Sequence, residues 1–573
     1  MKRYLFHPAS LFLVMSCLLF IGPAARGNAD STLFEDSFTD IDQRISELLG
    51  SMSDEERLAQ LLMIGWPTVE PTSEIMRWIR ERNIGAVKIF GWNGNDVPSL
   101  ARAIGQMQTA AVEQGIGIPL FTSTDQEGGW VRHIKDITSV TPGNMAIGAS
   151  GLTHDAYQSG YYIAQELRYI GINMNLAPTV DVYTNPEAHV IGPRAFSDNP
   201  LQTALLGSAF FQGHRAQGVI STAKHFPGHG GAPGDSHLML PTVDIPMEQL
   251  WERDLLPFRM LIQEGIPALL GGHLSFPEVT GDETPASFSP YFNRTLLREE
   301  MGFEGIIITD DLYMYGAIDY GNQHGENVAD LVIRAIRAGN DMVMLSKTPE
   351  FNGQIWTAMY RTYQSDEEFR NDVDNAVRRI LKVKLGYLHD PDTRVPLVPD
   401  TEELHQSIPS EATQKFFQEQ AARGTTLLGE RLLPVDEEQR ILLAGHNYAF
   451  FQVGREFFPE ADEYRFQNRY FYFSSANDRT RMRELAADYD IIIYALGDVN
   501  SAQVLAELED YQEKIVILSL LSPVYLLNLP WVHSGVAVYG WTDNSVRAGF
   551  SVLTGASEAF GSLPIQSLME GRE

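Results

Sequence analysis

Eight short apolar runs, at 61–65, 86–90, 120–124, 174–177, 219–223, 268–271, 306–309 and 342–345, are separated by amphipathic stretches of helical length. Such runs lack the apolar–polar alternation of a strand with one wet face. They suit strands covered on both sides, as parallel strands flanked by helices are. Eight such units in series predict an α/β fold, a (β/α)8 barrel of the TIM type with irregularity allowed at its first strands. Polar and ionisable residues follow the runs: Asp125-Gln126-Glu127 after Thr124, Lys224-His225 after Ala223, Gly272-His273 after Gly271, and Asp310-Asp311 after Thr309. In a barrel these positions form the C-terminal mouth, where active sites are built.

Two segments at that mouth carry most of the chemistry. Residues 224–237 hold Lys224, His225, His229, Asp235 and His237 among glycines and prolines, which predicts a shaped loop directly after a strand. Three readings of it are open. The histidines and aspartate could ligate a metal, although their spacing matches no standard ligand pattern. Asp235 could orient the His237 ring so that the other nitrogen exchanges protons with a substrate. The side chains could also simply tie the loop down. Residues 305–314 deliver Asp310 and Asp311 at the end of a buried strand, and successive side chains point to different sides, so one of them enters the cavity. A carboxylate there is suited to attack an anomeric carbon or to hold a metal; the helix N-cap alternative fits Asp311 better than Asp310. Asp125 and Arg194, on loops after the third and fourth runs, form a carboxylate–guanidinium pair able to take neighbouring sugar hydroxyls, with a surface ion pair as the alternative. The phosphate-loop pattern G-x-x-x-x-G-K-[ST] is absent from the sequence.

A chain of 573 residues accommodates such a barrel plus one smaller domain. Its 44% apolar and 20% charged content is that of a globular protein, which excludes global disorder. The net charge of −31, with no run of basic residues among aromatics, excludes nucleic acid as an expected partner. Residues 1–29 read as a signal peptide, with Met1-Lys2-Arg3 before an apolar stretch at 10–22 and small residues at Ala24, Ala25 and Ala29. Export to the periplasm or medium is the expectation, with membrane anchoring through the same segment as the alternative. The only cysteine, Cys17, lies in this segment, so the expected mature chain has neither disulfides nor thiol chemistry. The barrel is expected over 30–390. A Pro-rich linker follows at 391–420, and a smaller parallel α/β sandwich at 421–573, with apolar runs at 441–444, 471–473, 491–496, 515–520 and 536–539.

KHFPGHG at 224–230 with DSH at 235–237, TDQEGG at 124–129, VIGPRAFS at 190–197 and GFEGIIITDDLYMYGAI at 302–318 stand in the order of a known family's signatures. So does GSLPI at 561–565 in the second domain. The chain resembles family 3 glycoside hydrolases, in particular their two-domain β-N-acetylglucosaminidase branch. The resemblance implies that Asp310 is the nucleophile of a retaining mechanism and that His237, tuned by Asp235, is the general acid/base. It implies that Asp125, Arg194, Lys224 and His225 hold the hydroxyls of the cleaved sugar. It implies a substrate containing N-acetylglucosamine, such as peptidoglycan fragments or chitooligosaccharides, with no metal, no cofactor and no protein partner. One departure stands out. Where the family has an arginine two residues after the valine of the second motif, Val131 is followed by Arg132 and then His133. Competing activities are a β-glucosidase or xylosidase, a phosphorylase of the same family, and a glycan-binding protein without catalysis.

Overall fold

The computed structural model describes residues 32–570 apart from 115, 235–238 and 467–474. Its first domain is a closed barrel of eight parallel strands: β1 (Leu62–Gly65), β2 (Ala86–Ile89), β3 (Phe121–Thr124), β4 (Met174–Asn175), β5 (Ile220–Phe226), β6 (Ala268–Gly271), β7 (Ile306–Asp311) and β8 (Met342–Leu345). Each lies on one of the eight apolar runs, and the sheet closes where β1 pairs with β8, Leu62 against Val343. The first two strands are regular and fully buried. The irregularity falls elsewhere. β4 has only two residues, and Pro178, three positions on, has no N–H to continue a ladder. The registers of β5 on β6 and of β7 on β8 both shift near the mouth. As a result β5 runs three residues beyond its apolar run, and Lys224 and His225 are buried strand residues rather than the start of a loop.

At the opposite, N-terminal end of the barrel Asp341 is wholly buried. It accepts hydrogen bonds from Arg298 Nη2 at 2.5 Å, Arg379 Nε at 2.7 Å and the Ile307 N–H at 2.7 Å. Removing one member of a buried charge cluster leaves the others uncompensated. Asp341→Ala should therefore lower unfolding free energy by about 3 kcal/mol, read from urea denaturation.

The second domain is built on a six-stranded sheet of β9 (Thr426–Glu430), β10 (Ile441–Gly445), β11 (Asp462–Arg465), β12 (Ile491–Leu496), β13 (Ile515–Ser519) and β14 (Ser534–Ala537), in the order β9-β14-β13-β12-β10-β11. The sheet is mixed, which corrects the expectation of an all-parallel one: β9 is an antiparallel edge on β14. Edge strands are half-solvated, so β9 (TLLGE) and β11 (DEYR) carry no fully apolar run. The run at 471–473 lies outside the described residues. Within 391–420 the chain already enters the helix Glu411–Gly424. This helix braces the barrel: Arg423 grips Asp155 with Nη2 at 2.7 Å and Nε at 3.1 Å, and Gln420 Nε2 donates to Ser159 Oγ at 2.7 Å. The GSLPI segment returns to VIGPRAFS, where Pro564 O accepts from Ser197 Oγ at 2.7 Å and from the Asp198 N–H at 3.2 Å. One apolar core spans the seam, with Met145, Tyr183 and Ile191 of the barrel packed among Tyr494, Leu526 and Ile565. Among the described residues no helix is long and apolar enough to cross a membrane.

Candidate active site

A chain of alternating charges crosses the barrel mouth from β4 to β2. It starts at Asp181, which follows β4 and is wholly buried. Its Oδ1 accepts the backbone N–H groups of His225 at 3.2 Å and His229 at 2.6 Å, and its Oδ2 is 2.7 Å from His225 Nδ1. His225 Nε2 lies 3.2 Å from Arg194 Nη2. A guanidinium only donates, so Nε2 is the acceptor and the Nδ1 proton goes to Asp181. Arg194 then forms a fork on Glu127, Nε to Oε2 at 2.9 Å and Nη2 to Oε1 at 2.8 Å. Lys224 bridges Glu127, at 2.6 Å, and Asp125 Oδ1, and Lys88 Nζ holds Asp125 Oδ2 at 2.7 Å.

The network sets its own protonation. Burial alone would raise the Glu127 carboxyl, but Arg194 and Lys224 overcome it and hold the group down at about 2. Burial likewise opposes ionisation of Asp181, and the His225 and His229 rings bring it down to about 2. Asp125 is lowered well below the carboxylate range by Lys224 and Lys88 against the same penalty. The three carboxylates are thus held ionised, and their geometry is maintained from both sides.

Asp310 stands near the end of β7, partly exposed, with Oδ1 accepting the Asp311 N–H at 2.8 Å. Asp311 has a different task from the helix cap that its position suggests. Its Oδ1 accepts the N–H groups of Tyr313 at 3.2 Å and Ser346 at 2.9 Å, tying β7 to the chain after β8. The helix Tyr315–His324 begins after Met314 without a side-chain cap. His273, after β6, is buried and presents Nε2 to Asp311 O at 3.1 Å and Nδ1 to Ser287 Oγ at 2.8 Å. The carbonyl accepts, so the ring is clamped in one tautomer beneath the backbone that carries Asp310.

Of the residues the sequence singles out, Asp125, Arg194, Lys224 and His225 meet in one network, and Asp310 faces the same mouth. Asp235 and His237 lie outside the described residues. Arg132 turns away. Its Nη1 donates to Ser139 O at 2.7 Å, and the side chain lines a cleft of about 950 Å³ between the barrel and the second domain, together with Val140, Tyr448 and Trp541. His133 points inward, Nδ1 3.7 Å from Asp125 Oδ2. Sequence reasoning missed Lys88, Glu127 and Asp181 as partners. Lys88 is a lysine inside an otherwise apolar strand, a visible anomaly; Asp181 lies beyond the short β4 and carried no signal.

The fold is a closed parallel barrel whose mouth is lined with buried charged donors and acceptors. The glycosyl hydrolase family 3 N-terminal domain matches residues 53–383. The chain is 36% identical over 288 residues to β-hexosaminidase A of Pseudoalteromonas piscicida, a match covering 48% of this chain and 47% of that one. It is 37% identical over 244 residues to a β-hexosaminidase of Methylococcus capsulatus, covering 42% of this chain and 70% of that one. A glycoside hydrolase family 3 β-N-acetylglucosaminidase from Paenibacillus sp. str. FPU-7 superposes with a TM-score of 0.77 at 27% identity, over 90% of this chain and 99% of that one. The chain belongs to glycoside hydrolase family 3. It groups by sequence with the β-hexosaminidases, and it spans about half the length of the first of these relatives.

Proposed function

We propose that the protein is a retaining exo-β-N-acetylglucosaminidase that removes terminal β-linked N-acetylglucosamine. The observation that carries this is the placement of Asp310 at the strand-end mouth beside the wall running from Asp125 through Lys224, Glu127 and Arg194 to His225. The wall grips hydroxyls of the terminal sugar. Asp310 attacks the anomeric carbon as His237, oriented by Asp235, protonates the departing oxygen. The resulting ester is opened by water with His237 now acting as base, so the configuration is retained. A slow aryl substrate with a good leaving group should trap an adduct on Asp310, and a peptide map placing the label elsewhere reassigns the nucleophile.

The acid/base role has its own signature. A nitrophenolate leaves with little help, whereas a sugar alkoxide needs a proton. His237→Ala should therefore lose about 100-fold more rate on a disaccharide than on 4-nitrophenyl β-N-acetylglucosaminide; equal losses assign His237 to sugar positioning instead. Turnover in phosphate compared with phosphate-free buffer separates hydrolysis from phosphorolysis.

The export signal read in the N-terminal segment and the family resemblance together favour cell-wall fragments as the natural substrate. N-acetylglucosamine should be the sole monosaccharide released from muramidase-digested peptidoglycan, from non-reducing ends only. Early internal fragments, or cleavage of chitobiose while muropeptides of equal length stay intact, would refute this.

A further inference from the structure

Both oxygens of Asp125 are held from below by lysines, Oδ1 by Lys224 and Oδ2 by Lys88. The Lys88 side chain is 1% exposed; its Nζ also donates to Ile89 O at 2.9 Å and lies 4.3 Å above the Phe90 ring. His133 approaches the same oxygens from the mouth, with Nδ1 3.3 Å from Ile89 O. A carbonyl accepts, so this contact places the proton on Nδ1 and leaves a lone pair on Nε2 in the neutral ring. Burial, followed by the adjacent Lys88 charge, lowers the ring pKa to about 4, which keeps it neutral at working pH.

The ring is also reachable. Its side chain is 24% exposed, more than the 17% of Asp125. Gly91 leaves the neighbouring edge uncovered: a Cβ there would stand 4.0 Å from His133 Cδ2. Among the described residues His133 makes no hydrogen bond through Nε2. Arg132, the adjacent cation, is committed to the backbone carbonyls of Lys135 and Ser139 on the far side.

We propose that His133 is a sugar-contacting residue, accepting through Nε2 a hydrogen bond from a hydroxyl of the terminal sugar beside Asp125, and that Lys88 is the positioning residue that fixes Asp125 behind it. The proposal rests on the active site assigned above. It makes this wall chemically distinct from one built with arginine at position 133. A guanidinium can only donate, whereas neutral Nε2 only accepts, and the positive charge stands on Lys88 in β2 instead. The wall then reads the hydroxyl as a donor. Fluorine in place of that hydroxyl accepts weakly and cannot donate, so a deoxyfluoro sugar is rejected as a deoxy sugar is.

The test is kcat/KM for 4-nitrophenyl β-N-acetylglucosaminide and its 3-, 4- and 6-deoxy and deoxyfluoro analogues, with wild type, His133→Ala, His133→Gln and Lys88→Met, each checked for folding by its melting temperature. At one ring position the wild type should lose about 10-fold on both analogues. His133→Ala should lose that factor on the parent glycoside and nothing further on those two analogues. His133→Gln, which keeps an acceptor oxygen, should recover part of the loss and decides the matter if the alanine variant does not fold. Lys88→Met should lower the whole series by one common factor, because it acts through Asp125. The proposal is overturned if His133→Ala still rejects every analogue as the wild type does, or if the wild type accepts fluorine at every position as well as hydroxyl. Failure of the functional reading looks different: the wild type then leaves the parent N-acetylglucosaminide uncut but cleaves the glucoside or xyloside, and the same analogue series in that sugar still tests His133.

Discussion

Asp310→Asn should lower kcat on an aryl β-N-acetylglucosaminide by about four orders of magnitude, the scale seen when a covalent nucleophile is removed, while the melting temperature stays close to wild type. The stability half of the prediction follows from local geometry. Oδ1 of Asp310 accepts the Asp311 N–H, and asparagine retains an oxygen for that bond. The side chain is only partly buried, so no cavity opens. The rate half follows from chemistry, since an amide cannot form the glycosyl ester on which retention depends. Asp310→Ala leaves room for a small anion, and added azide should restore turnover and give a glycosyl azide of inverted configuration. A variant that kept more than a few per cent of wild-type rate would remove Asp310 from the role.

The second large effect is expected at Glu127, a residue with no direct part in the proposed bond changes. Its carboxylate is wholly buried and neutralises Arg194 and Lys224 at once. Glu127→Gln preserves shape but leaves two buried cations sharing Asp125 and Asp181. Loss of a partner in such a network costs about 3 to 5 kcal/mol, and the same rearrangement should lower kcat/KM by about 100-fold or more as the sugar-gripping wall loses register. The pH dependence of stability separates this from a packing defect. Glu127 has a folded-state pKa of about 2 against the ordinary glutamate value of 4.5. A depressed acid stabilises the fold above its unfolded pKa and loses that contribution as pH falls toward the folded one. The wild type should lose stability between about pH 4.5 and 2 more steeply than Glu127→Gln, whose position cannot titrate. Parallel curves would show that folding leaves the Glu127 pKa unshifted.

The eight barrel strands are legible in the sequence because parallel strands buried on both faces need uninterrupted apolar runs, and 306–309 or 342–345 can do little else. The positions after those runs are legible for the same reason, which is why the order of residues alone points to Asp125, Lys224, His225 and Asp310. The edge strands β9 and β11 are not, since half-solvated strands carry charges like any loop. Nor is the extension of β5 through Lys224 and His225, which depends on a register shift against β6. Above all, the pairing within the site comes only from the tertiary structure. Lys88 meets Asp125, and Asp181 meets His225, because closure of the barrel sets the ends of β2, β3, β4 and β5 side by side. The same closure turns Arg132 outward and His133 inward, since a short hairpin, 126–128 against 131–132, decides which side of the chain faces the axis. Local pattern specifies which residues are buried in strands; which charges then neutralise one another depends on distances between strands, and no single segment encodes those.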